Sequence, residues 1–592
     1  MTIFAGAFAT DPARALPVHL CQQLEHATAR SNVPIPRRTF VGERHFVAVA
    51  DIGAFVDDPI AHADARIGVL IGDALITAHS GRLPRREQAE MLLNESTMPS
   101  DAAFLRARGT YAFAAIDPIR HQLTLVTDHL GVRPVYYSFR DGLLIFASAL
   151  RIFDDLDGFP LTPSRQGRAE VACFGYPLEE RTVYLEVNRL RPAERLTASA
   201  TGLTTETYFD WSAVPASAST PMHEISPECI RAVYRAFREA VSLRLPDDRV
   251  AFAFLSGGLD SRAIVTSLVD EGIDVQALNF SPPGSQDEQY AQLFAKSLSD
   301  RCNLHCFGLT EGTQPRWSSM AAKALTTIRS APTVPTQGPA LVWAGDGGSV
   351  GLGHVYLTEE MVNSAATGGV SDAAHVLLAG NRWQLPWSIF RADAAQRIRD
   401  DILAAVQREL RRYERRGSDR ALYLFLMCND QHRHLDTHFE DIDLHQVELL
   451  LPFFDAEFVK TVTSLPLSAC LYHRAYASVF EQFPKVARST PWQTYPGHVP
   501  CPVPSPSGDP ATYQWSSKTR SADPRDNDHR DRARELLRFT LTPNFDDTLF
   551  HPSRVRIAAA LYWLGIRNFD YMTRIVGLLT DQVRGAPGAE RE

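Results

Sequence analysis

The sequence predicts a two-domain protein that combines α+β and α/β architecture. Three observations support this class: a length of 592 residues, a first third rich in short apolar runs separated by turns, and a later stretch in which strands and helices alternate. A chain of this length exceeds what one hydrophobic core usually organises. We therefore expect an antiparallel sheet domain followed by a parallel sheet covered by helices.

The N-terminal part is predicted to be rich in sheet. Apolar runs recur from Ile67 to Ala149, among them TYAFAAID, QLTLVTD and LLIFASA, and turn signals such as DHLGVRP and FRDG separate them. The stretch RTVYLEVNRLRP, residues 181–192, is predicted to form a further strand. Residues 211–221, WSAVPASASTP, lack periodicity and are typical of a linker. We expect a first domain at 1–210, a linker at 211–226 and a second domain at 227–592.

The second domain begins with alternating elements. A helix from about Pro227 to Arg244 precedes the strand RVAFAFL, the helix RAIVTSLVDEG, the strand VQALNF, the helix DEQYAQLFAKSL and the strand NLHCFGL. This order predicts a parallel sheet with helices on its faces. The chain after about Ala373 is mostly helical in pattern, and residues 501–531, dense in Pro, Ser and charge, are predicted to be a mobile loop.

Composition narrows the functional classes. A net charge of -9 and a pI near 6.1 argue against a broad basic surface for nucleic acid. The eight cysteines lack the density and spacing of a disulfide framework, which fits a reducing compartment. The start, MTIFAGAFATDPAR, has no basic region before its apolar residues, and no run of about eighteen apolar residues occurs. We expect a cytoplasmic protein without a membrane span or a nucleic-acid partner.

The sharpest motif is FLSGGLDSR, which lies where a strand turns into a helix. Its glycines let backbone N–H groups converge on an anion, its serines add hydroxyl donors, and the helix start adds a positive dipole end. The motif predicts a phosphate-binding loop, in which a carboxylate makes sense if it holds Mg²⁺. The alternative is a glycine-rich turn without a ligand, and no GxxxxGK[ST] loop is present. The candidate residues are Leu255, Ser256, Gly257, Gly258, Leu259, Asp260 and Ser261.

Several collinear segments carry a family resemblance. SGGLDS resembles the pyrophosphate loop of adenylating amidotransferases, and the segments 105–153, RTVYLEVNRLRPAERL, AGDGGSV and VELLLPFFDAEF resemble asparagine synthetase segments in the same order. The resemblance implies an N-terminal Ntn-type αββα sandwich of the glutaminase kind. It also implies a C-terminal parallel-sheet PP-loop ATP pyrophosphatase domain with a helical extension.

The same resemblance implies a chemistry. In this family a substrate carboxylate attacks the α-phosphate of ATP with Mg²⁺ present, and an amine then displaces AMP from the acyl-adenylate. Asp346 stands where the family has a Glu that accepts the amine's proton, and Ser349 stands where a second metal-binding Asp is usual. Asp260 is then the main Mg²⁺ ligand and a catalytic carboxylate. Gly345, Gly347 and Asp287 are expected near the nucleotide, although Asp287 fits a helix N-cap equally well.

Two departures from the family pattern shape the functional prediction. The family carries a Lys after its PFLD segment that stabilises charge on the phosphate, but TPWQTYPG has none, so Lys485 or Lys518 is expected to replace it. The glutaminase nucleophile is Cys at residue 2 in the family, whereas this chain has Thr2. Ile71, Gly72 and Asp73 replace the glutamine-holding NGE. We expect a degenerate domain, with Thr2 as an alternative nucleophile.

A ligase without its own ammonia source needs an amine that is already on the substrate. The resemblance therefore favours a lasso-peptide macrolactam synthetase, which acts on a precursor peptide and has companion maturation proteins, a leader-binding protein and a protease. A small carboxylate substrate, as in β-lactam synthetases, is the alternative. Asparagine synthetase using ammonia or glutamine, and a non-catalytic scaffold, also remain open. The run HRHLDTHFEDIDLH, residues 432–445, is predicted to be a solvated helix rather than a metal site.

Overall fold

The computed structural model describes residues 2–30, 34–55, 57–78, 81–98, 100–215, 225–245, 249–309, 317–329, 340–382, 385–506, 508 and 528–580. Its first 215 residues are built from antiparallel strands. The strands are β1 (Ile3–Ala9), β2 (Arg37–Val41), β3 (His45–Ala50), β4 (Ile60–Ala63), β5 (Arg66–Gly72), β6 (Thr77–Ala78), β7 (Gly81–Arg82), β8 (Tyr111–Asp117), β9 (Gln122–Thr127), β10 (Tyr136–Arg140), β11 (Leu143–Ala147), β12 (Asn188–Arg189), β13 (Glu194–Ser199) and β14 (Gly202–Thr207). The helices of this part are α1 (Val18–Ala27), α2 (Arg85–Glu95), α3 (Ala102–Arg106), α4 (Arg151–Asp154) and α5 (Arg165–Phe174).

Two six-stranded sheets form the centre of this part, in the orders β12-β10-β11-β1-β3-β2 and β14-β13-β9-β8-β5-β4. The alternation along β1 explains the layering, because successive side chains of a strand face opposite sides. Phe4 and Phe8 pack between the sheets with Val69 of β5. Ile3 lies in the cluster that contains Leu24 of α1, while α2 covers the other sheet. The αββα sandwich that the family resemblance implied is confirmed.

One predicted strand is wrong. Of RTVYLEVNRLRP only Asn188–Arg189 pairs in a sheet. The hydroxyl of Thr182 bonds the backbone oxygens of Tyr184 and Val187 at 3.1 and 2.9 Å. A short polar side chain that satisfies nearby backbone closes a turn in place of a ladder.

The second part of the chain contains a parallel sheet of β15 (Val250–Phe254), β16 (Asp274–Ser281), β17 (Cys302–Gly308), β18 (Ala340–Trp343) and β19 (Val447–Leu450), in the order β17-β16-β15-β18-β19. All four pairings are parallel, as predicted. The helices are α6 (Pro227–Ser242), α7 (Leu259–Asp270), α8 (Gln286–Ser297), α9 (Trp317–Arg329), α10 (Gly348–Gly351), α11 (Glu359–Leu377), α12 (Ala392–Tyr413), α13 (Ser418–Phe425), α14 (His432–Glu440), α15 (Ile442–His445), α16 (Ala456–Thr463), α17 (Leu467–Cys470), α18 (Arg474–Phe480), α19 (Asp528–Phe539), α20 (Pro552–Trp563) and α21 (Asp570–Leu579).

The predicted boundaries of the two domains stay predictions. Trp211, at the start of the predicted linker, is buried and donates its indole N–H to the backbone oxygen of His129 at 2.6 Å. Residues 216–224 lie outside the described residues, as does most of the predicted mobile loop, at positions 507 and 509–527.

Buried ion pairs join the two parts of the chain. The Arg133 guanidinium bonds Glu448 of β19 with both side chains almost fully buried. Arg108 pairs with Asp455 at 3.0 Å, and Arg244 holds the second oxygen of the same carboxylate at 2.9 Å. Ion pairs that are less fully buried also join the two parts: Arg30 to Asp441 and Asp443, Arg151 to Asp443, Arg189 to Asp436, and Arg191 to Glu409.

Candidate active site

The topology of the parallel sheet indicates where a ligand binds. From β15 the chain continues outward to β16 and β17, whereas β18 lies on the other side of β15. In open α/β sheets the crevice at the carboxyl ends of the strands forms where the order reverses in this way. The loops that follow β15 and β18 contain SGGLDS and GDGG, so both sequence motifs lie at this position.

The SGGLDS loop is held in an open, donor-rich shape by its own side chains. The Ser261 hydroxyl accepts from the Ser256 backbone N–H at 3.0 Å and contacts the Ser256 hydroxyl at 3.1 Å. The Ser256 hydroxyl accepts from the Gly258 N–H at 3.2 Å. Helix α7 begins at Leu259, so its first N–H groups point into the same cleft. The loop thus has the donors of a phosphate site.

Asp287 fastens this loop to the neighbouring strand. Its Oδ1 accepts from the Gly257 N–H at 2.9 Å and its Oδ2 from the Asn279 amide at 3.0 Å. Burial raises its pKa. The alternative of a helix N-cap is wrong, because Ser285 caps α8 through the Glu288 N–H. In this structure Asp287 positions the phosphate loop by joining Gly257 to Asn279 of β16.

The second glycine loop approaches Asp260 closely. A Cβ added at Gly348 would lie 2.6 Å from both Cγ and Oδ1 of Asp260, and one at Gly345 would lie 3.0 Å from the Asp260 Cβ. The Ser349 hydroxyl donates to Asp260 Oδ2 at 2.5 Å. Only residues without side chains allow the two loops to meet at this distance.

The carboxyl group of Asp260 lies in an environment that disfavours its charge. Burial raises its pKa to about 6, and the negative charge of Asp346 adds to the rise, while the hydroxyls of Ser349 and Tyr476 oppose it. Among the described residues no group of three or more His, Cys, Asp or Glu side chains forms a complete metal site. Mg²⁺ is commonly held by one or two carboxylates together with substrate phosphates, and Asp260 beside the phosphate loop fits that arrangement.

Asp346 lies in the turn between β18 and α10. Gly347 has φ +86°, and a Cβ there would lie 2.8 Å from the Phe454 ring, so the turn requires glycine. Burial raises the pKa of Asp346, and the charge of His434 opposes the rise. A carboxylate whose pKa is raised in this way is a better proton acceptor than an exposed Asp.

The cleft includes residues that the sequence did not predict. Together with Ser256, Gly258, Leu259, Asp260 and Ser349, it is lined by His473, Gln493 and Tyr495. Gln493 and Tyr495 belong to TPWQTYPG, where only a missing Lys had been noted. The Pro-Gly pair of that segment is the signal that was available, because it marks a tight turn able to direct side chains into a site.

The two lysines that were expected to replace the family Lys are not among the cleft residues. Lys485 is exposed on the short 3₁₀ turn Lys485–Arg488 and does not line the cleft. That expectation is therefore wrong for Lys485. Lys518 lies outside the described residues.

Arg262 fixes TPWQTYPG against the phosphate loop. Its fully buried guanidinium donates to the backbone oxygens of Thr490 and Pro491 at 2.8 and 2.7 Å and lies over the rings of Phe294 and Trp492. Burial lowers its pKa to about 9. The next residues of the segment then reach the loop, where the Gln493 N–H donates to the Gly257 oxygen at 2.9 Å.

At the other end of the chain, Thr2 is buried at the start of β1. Its hydroxyl accepts from the Ile52 N–H at 3.1 Å. Asp73, in the position of the family's glutamine-holding Glu, pairs with Arg82 at 2.9 Å. The buried Arg85 guanidinium donates to the Gly72 oxygen. The side chains of Thr2, Asp73 and Arg85 thus already have hydrogen-bond or ion-pair partners within the protein.

The helix α14 is not the solvated helix that was predicted. His432 and His438 are buried between the two parts of the chain, and burial lowers both pKa values. Asp436, whose side chain is 23% exposed, accepts from Arg189 at 2.5 Å, so its charge is paired in this partly buried position. His434 remains exposed.

Sequence comparisons agree with this geometry. The profile of the glutamine amidotransferase domain matches residues 77–209, and the asparagine synthase profile matches residues 232–305, which contain the phosphate loop. The chain is similar to asparagine synthetases over about a third of its length. Over 190 residues it is 27% identical to asparagine synthetase [glutamine-hydrolyzing] 3 of Bacillus subtilis, a match that covers 32% of this chain and 30% of that protein.

The other matches are similarly short. Asparagine synthetase [glutamine-hydrolyzing] 1 of B. subtilis is 24% identical, over 30% of this chain and 27% of that protein. The amidase chyE of Penicillium rubens is 26% identical, over 28% of this chain and 24% of that protein. The chain thus matches less than a third of each relative's length.

Among solved structures, the glutamine phosphoribosylpyrophosphate amidotransferase of B. subtilis complexed with ADP and GMP overlaps 58% of this chain and 81% of its own. The TM-score is 0.21 and the sequence identity is 10%, which is a loose overlap.

No helix in the described part of the chain has the length and apolar character needed to cross a membrane.

Proposed function

We propose that this chain is an ATP-dependent, AMP-forming amide ligase. The proposal rests mainly on one observation. The SGGLDS loop and the GDGG loop meet at one edge of the sheet, where the Ser349 hydroxyl donates to Asp260 at 2.5 Å. The loop supplies donors for phosphate oxygens, and Asp346 lies close enough to raise the pKa of Asp260. An anion site beside a proton acceptor is what adenylation followed by amine attack requires.

The two half-reactions assign a task to each group. In the first, a substrate carboxylate oxygen bonds to the α-phosphorus of ATP, the bond to the β-phosphate breaks, and pyrophosphate remains on the N–H groups of the Ser256–Ser261 loop. Mg²⁺ held at Asp260 would neutralise phosphate charge. In the second, an amine bonds to the acyl carbon, the bond to AMP breaks, and Asp346 accepts the amine's proton.

The favoured substrate is a precursor peptide whose own amine closes a macrolactam ring, as in lasso-peptide cyclases. The state of the N-terminal half supports this choice. The Thr2 hydroxyl is engaged by the Ile52 N–H, and Asp73 by Arg82, so the groups that would release ammonia from glutamine are replaced or occupied. An amine supplied by the substrate makes ammonia unnecessary. Such an enzyme would work in the cytoplasm with a leader-binding protein and a protease.

Asparagine synthesis is the second candidate. It is supported by the names of the relatives at 27% and 24% identity. It would use free ammonia or glutamine with aspartate. The substrate distinguishes the two candidates, since the overall adenylation chemistry is shared.

The test follows pyrophosphate release with ATP and Mg²⁺. The substrates are a small peptide encoded beside the gene, or aspartate with ammonia or glutamine. Release only with the peptide, with a product lighter by one water, supports the cyclase, and release with aspartate supports asparagine synthesis. Silence with every carboxylate would leave a non-catalytic scaffold.

Two variants test the assigned roles. Asp260→Ala should abolish release. Asp346→Asn should retain ATP–pyrophosphate exchange but form about 10²-fold less amide, the range of one general base. Asp393→Asn, an exposed carboxylate on α12, is the control that should change neither. Equal loss of exchange and amide in Asp346→Asn would contradict the role of base.

A further inference from the structure

The cleft has an imbalance of charge. Of the eight described residues that line it, none is Lys or Arg, and one, Asp260, is acidic. A pyrophosphate group carries several negative charges, of which one Mg²⁺ offsets two. The basic side chain in the lining is His473.

The backbone places His473 in this position at a cost. Tyr472 and His473 both adopt left-handed conformations, with φ of 58° and 62°. Non-glycine residues with such φ values are uncommon, and two in succession persist only where the surrounding structure enforces them. The turn directs the His473 ring, which is 7% exposed, into the cleft.

A second histidine completes the arrangement. The turn Tyr495-Pro496-Gly497-His498 is closed by a bond from the His498 N–H to the Tyr495 oxygen at 3.1 Å, and Gly497 has φ +79°. These are features of a type II turn. The turn places His498 Nδ1 2.6 Å from His473 Nδ1. Tyr495 stacks on His473 with ring centroids 5.3 Å apart.

We propose that the His473–His498 pair is the cationic contact for the phosphate chain and takes up one proton when pyrophosphate binds. The pair can do so without losing its internal bond. In the neutral pair one Nδ1–H donates to the other Nδ1. When the donor ring gains a proton at Nε2 it becomes an imidazolium and the bond remains. Half-buried His498 provides the route by which that proton enters from solvent.

Before a phosphate binds, the surroundings of the His473–His498 pair keep both rings neutral. Burial, with the rings of His498 and His354, lowers the pKa of His473 to about 3, and burial lowers that of His498. Among the described residues, the phenols of Tyr476, from α18, and Tyr495 stack on His473. The Tyr472 ring contacts His498, and the Asp260 carboxyl lines the same cleft and interacts with Tyr476. A nearby phosphate anion acts in the opposite direction and favours the charged ring.

The inference rests on the proposed function for the nature of the ligand, a phosphate chain. The experiment is calorimetric titration of the full chain with pyrophosphate and Mg²⁺ at pH 7.5, in buffers of different ionisation enthalpy. The slope of observed enthalpy against buffer enthalpy gives the number of protons taken up. We expect about one proton for the unaltered protein.

His473→Gln should weaken pyrophosphate binding by roughly 10- to 100-fold and abolish proton uptake, since Gln retains a similar size but not the charge. His498→Gln, farther from the ligand, should abolish uptake with a smaller loss of affinity. His375→Gln is the matched control, because His375 is exposed and bonds its own helix at Ser371.

The outcomes separate the inference from the proposed function. Pyrophosphate binding without proton uptake, unchanged in His473→Gln, would overturn the inference and leave the ligase proposal intact. Failure of the unaltered protein to bind pyrophosphate would overturn both. Should His473→Gln unfold, as judged by circular dichroism, the decision passes to His498→Gln.

Discussion

The approach of Gly348 to Asp260 leads to a quantitative prediction. Gly348 begins α10 and is not among the glycines with positive φ, so the backbone accepts alanine there. The added Cβ would lie 2.6 Å from Asp260 Cγ and Oδ1, against 3.4 Å or more for ordinary contact. The carboxyl group would have to retreat by about 0.8 Å. A displacement of about 1 Å in a catalytic constellation can cost roughly 10²-fold, or about 2.8 kcal/mol.

We therefore expect Gly348→Ala to bind pyrophosphate with Mg²⁺ about 10²-fold more weakly, measured by calorimetric titration. Gly577→Ala is the matched control, because Gly577 lies in α21 with nothing within 4 Å of the added Cβ. Its helical position should make it neutral or stabilising by about 0.5–1 kcal/mol in the free energy of unfolding. Binding by Gly348→Ala within about threefold of the unaltered protein would refute the claim that the two loops need this close approach.

Three further predictions concern other parts of the chain. In His473→Gln, which lacks the proton uptake proposed for the histidine pair, pyrophosphate binding that depends on Mg²⁺ should weaken about tenfold per pH unit below pH 6, because the raised pKa of Asp260 keeps its carboxyl protonated there and metal binding must release that proton; a flat profile from pH 7 to pH 5 in this variant would argue against Asp260 as the ligand. Arg262→Met should lower the free energy of unfolding by about 3–5 kcal/mol, because it removes a buried charged donor and leaves two backbone oxygens without their hydrogen-bond partner. It should also increase hydrogen exchange in residues 487–493. Arg301→Met, on the surface, should do neither. Thr2→Cys should not produce glutaminase activity, because Asp73 and Arg85 remain engaged, and ammonia release from glutamine by this variant would contradict that reasoning.

Local sequence patterns were enough to predict the elements around the phosphate loop. Helix α6 begins at Pro227 as predicted, since Pro at the first turn and the Ser226 cap are local signals. The strands β16 and β17 differ from their predicted runs by one residue at each end. Apolar periodicity and turn residues determine such elements, and both can be counted along the chain.

What was not predicted depends on contacts between distant residues. The cap alternative for Asp287 is wrong because its carboxylate bonds Gly257, 30 positions away, while its place near the nucleotide stays a prediction. His473 enters the cleft through a left-handed turn in residues whose types do not signal one. Asp436 of α14 pairs with Arg189, 247 positions away. Neither propensity nor periodicity contains this information.

The distribution of charge between the two parts of the chain limits how the protein can be truncated. In the most buried pairs, such as Arg133–Glu448 and Arg108–Asp455, the first part of the chain contributes the guanidinium and the second the carboxylate, while more exposed pairs such as Arg408–Glu179 run the other way. Removing one partner of a buried pair costs about 3–5 kcal/mol. A deletion of the first 210 residues would remove the guanidinium partners of Glu448, Asp436 and Glu409, while Asp455 would keep Arg244. Under the proposed function, the first part of the chain thus has a structural task that does not depend on chemistry at Thr2, because it supplies the guanidinium groups that pair with these carboxylates.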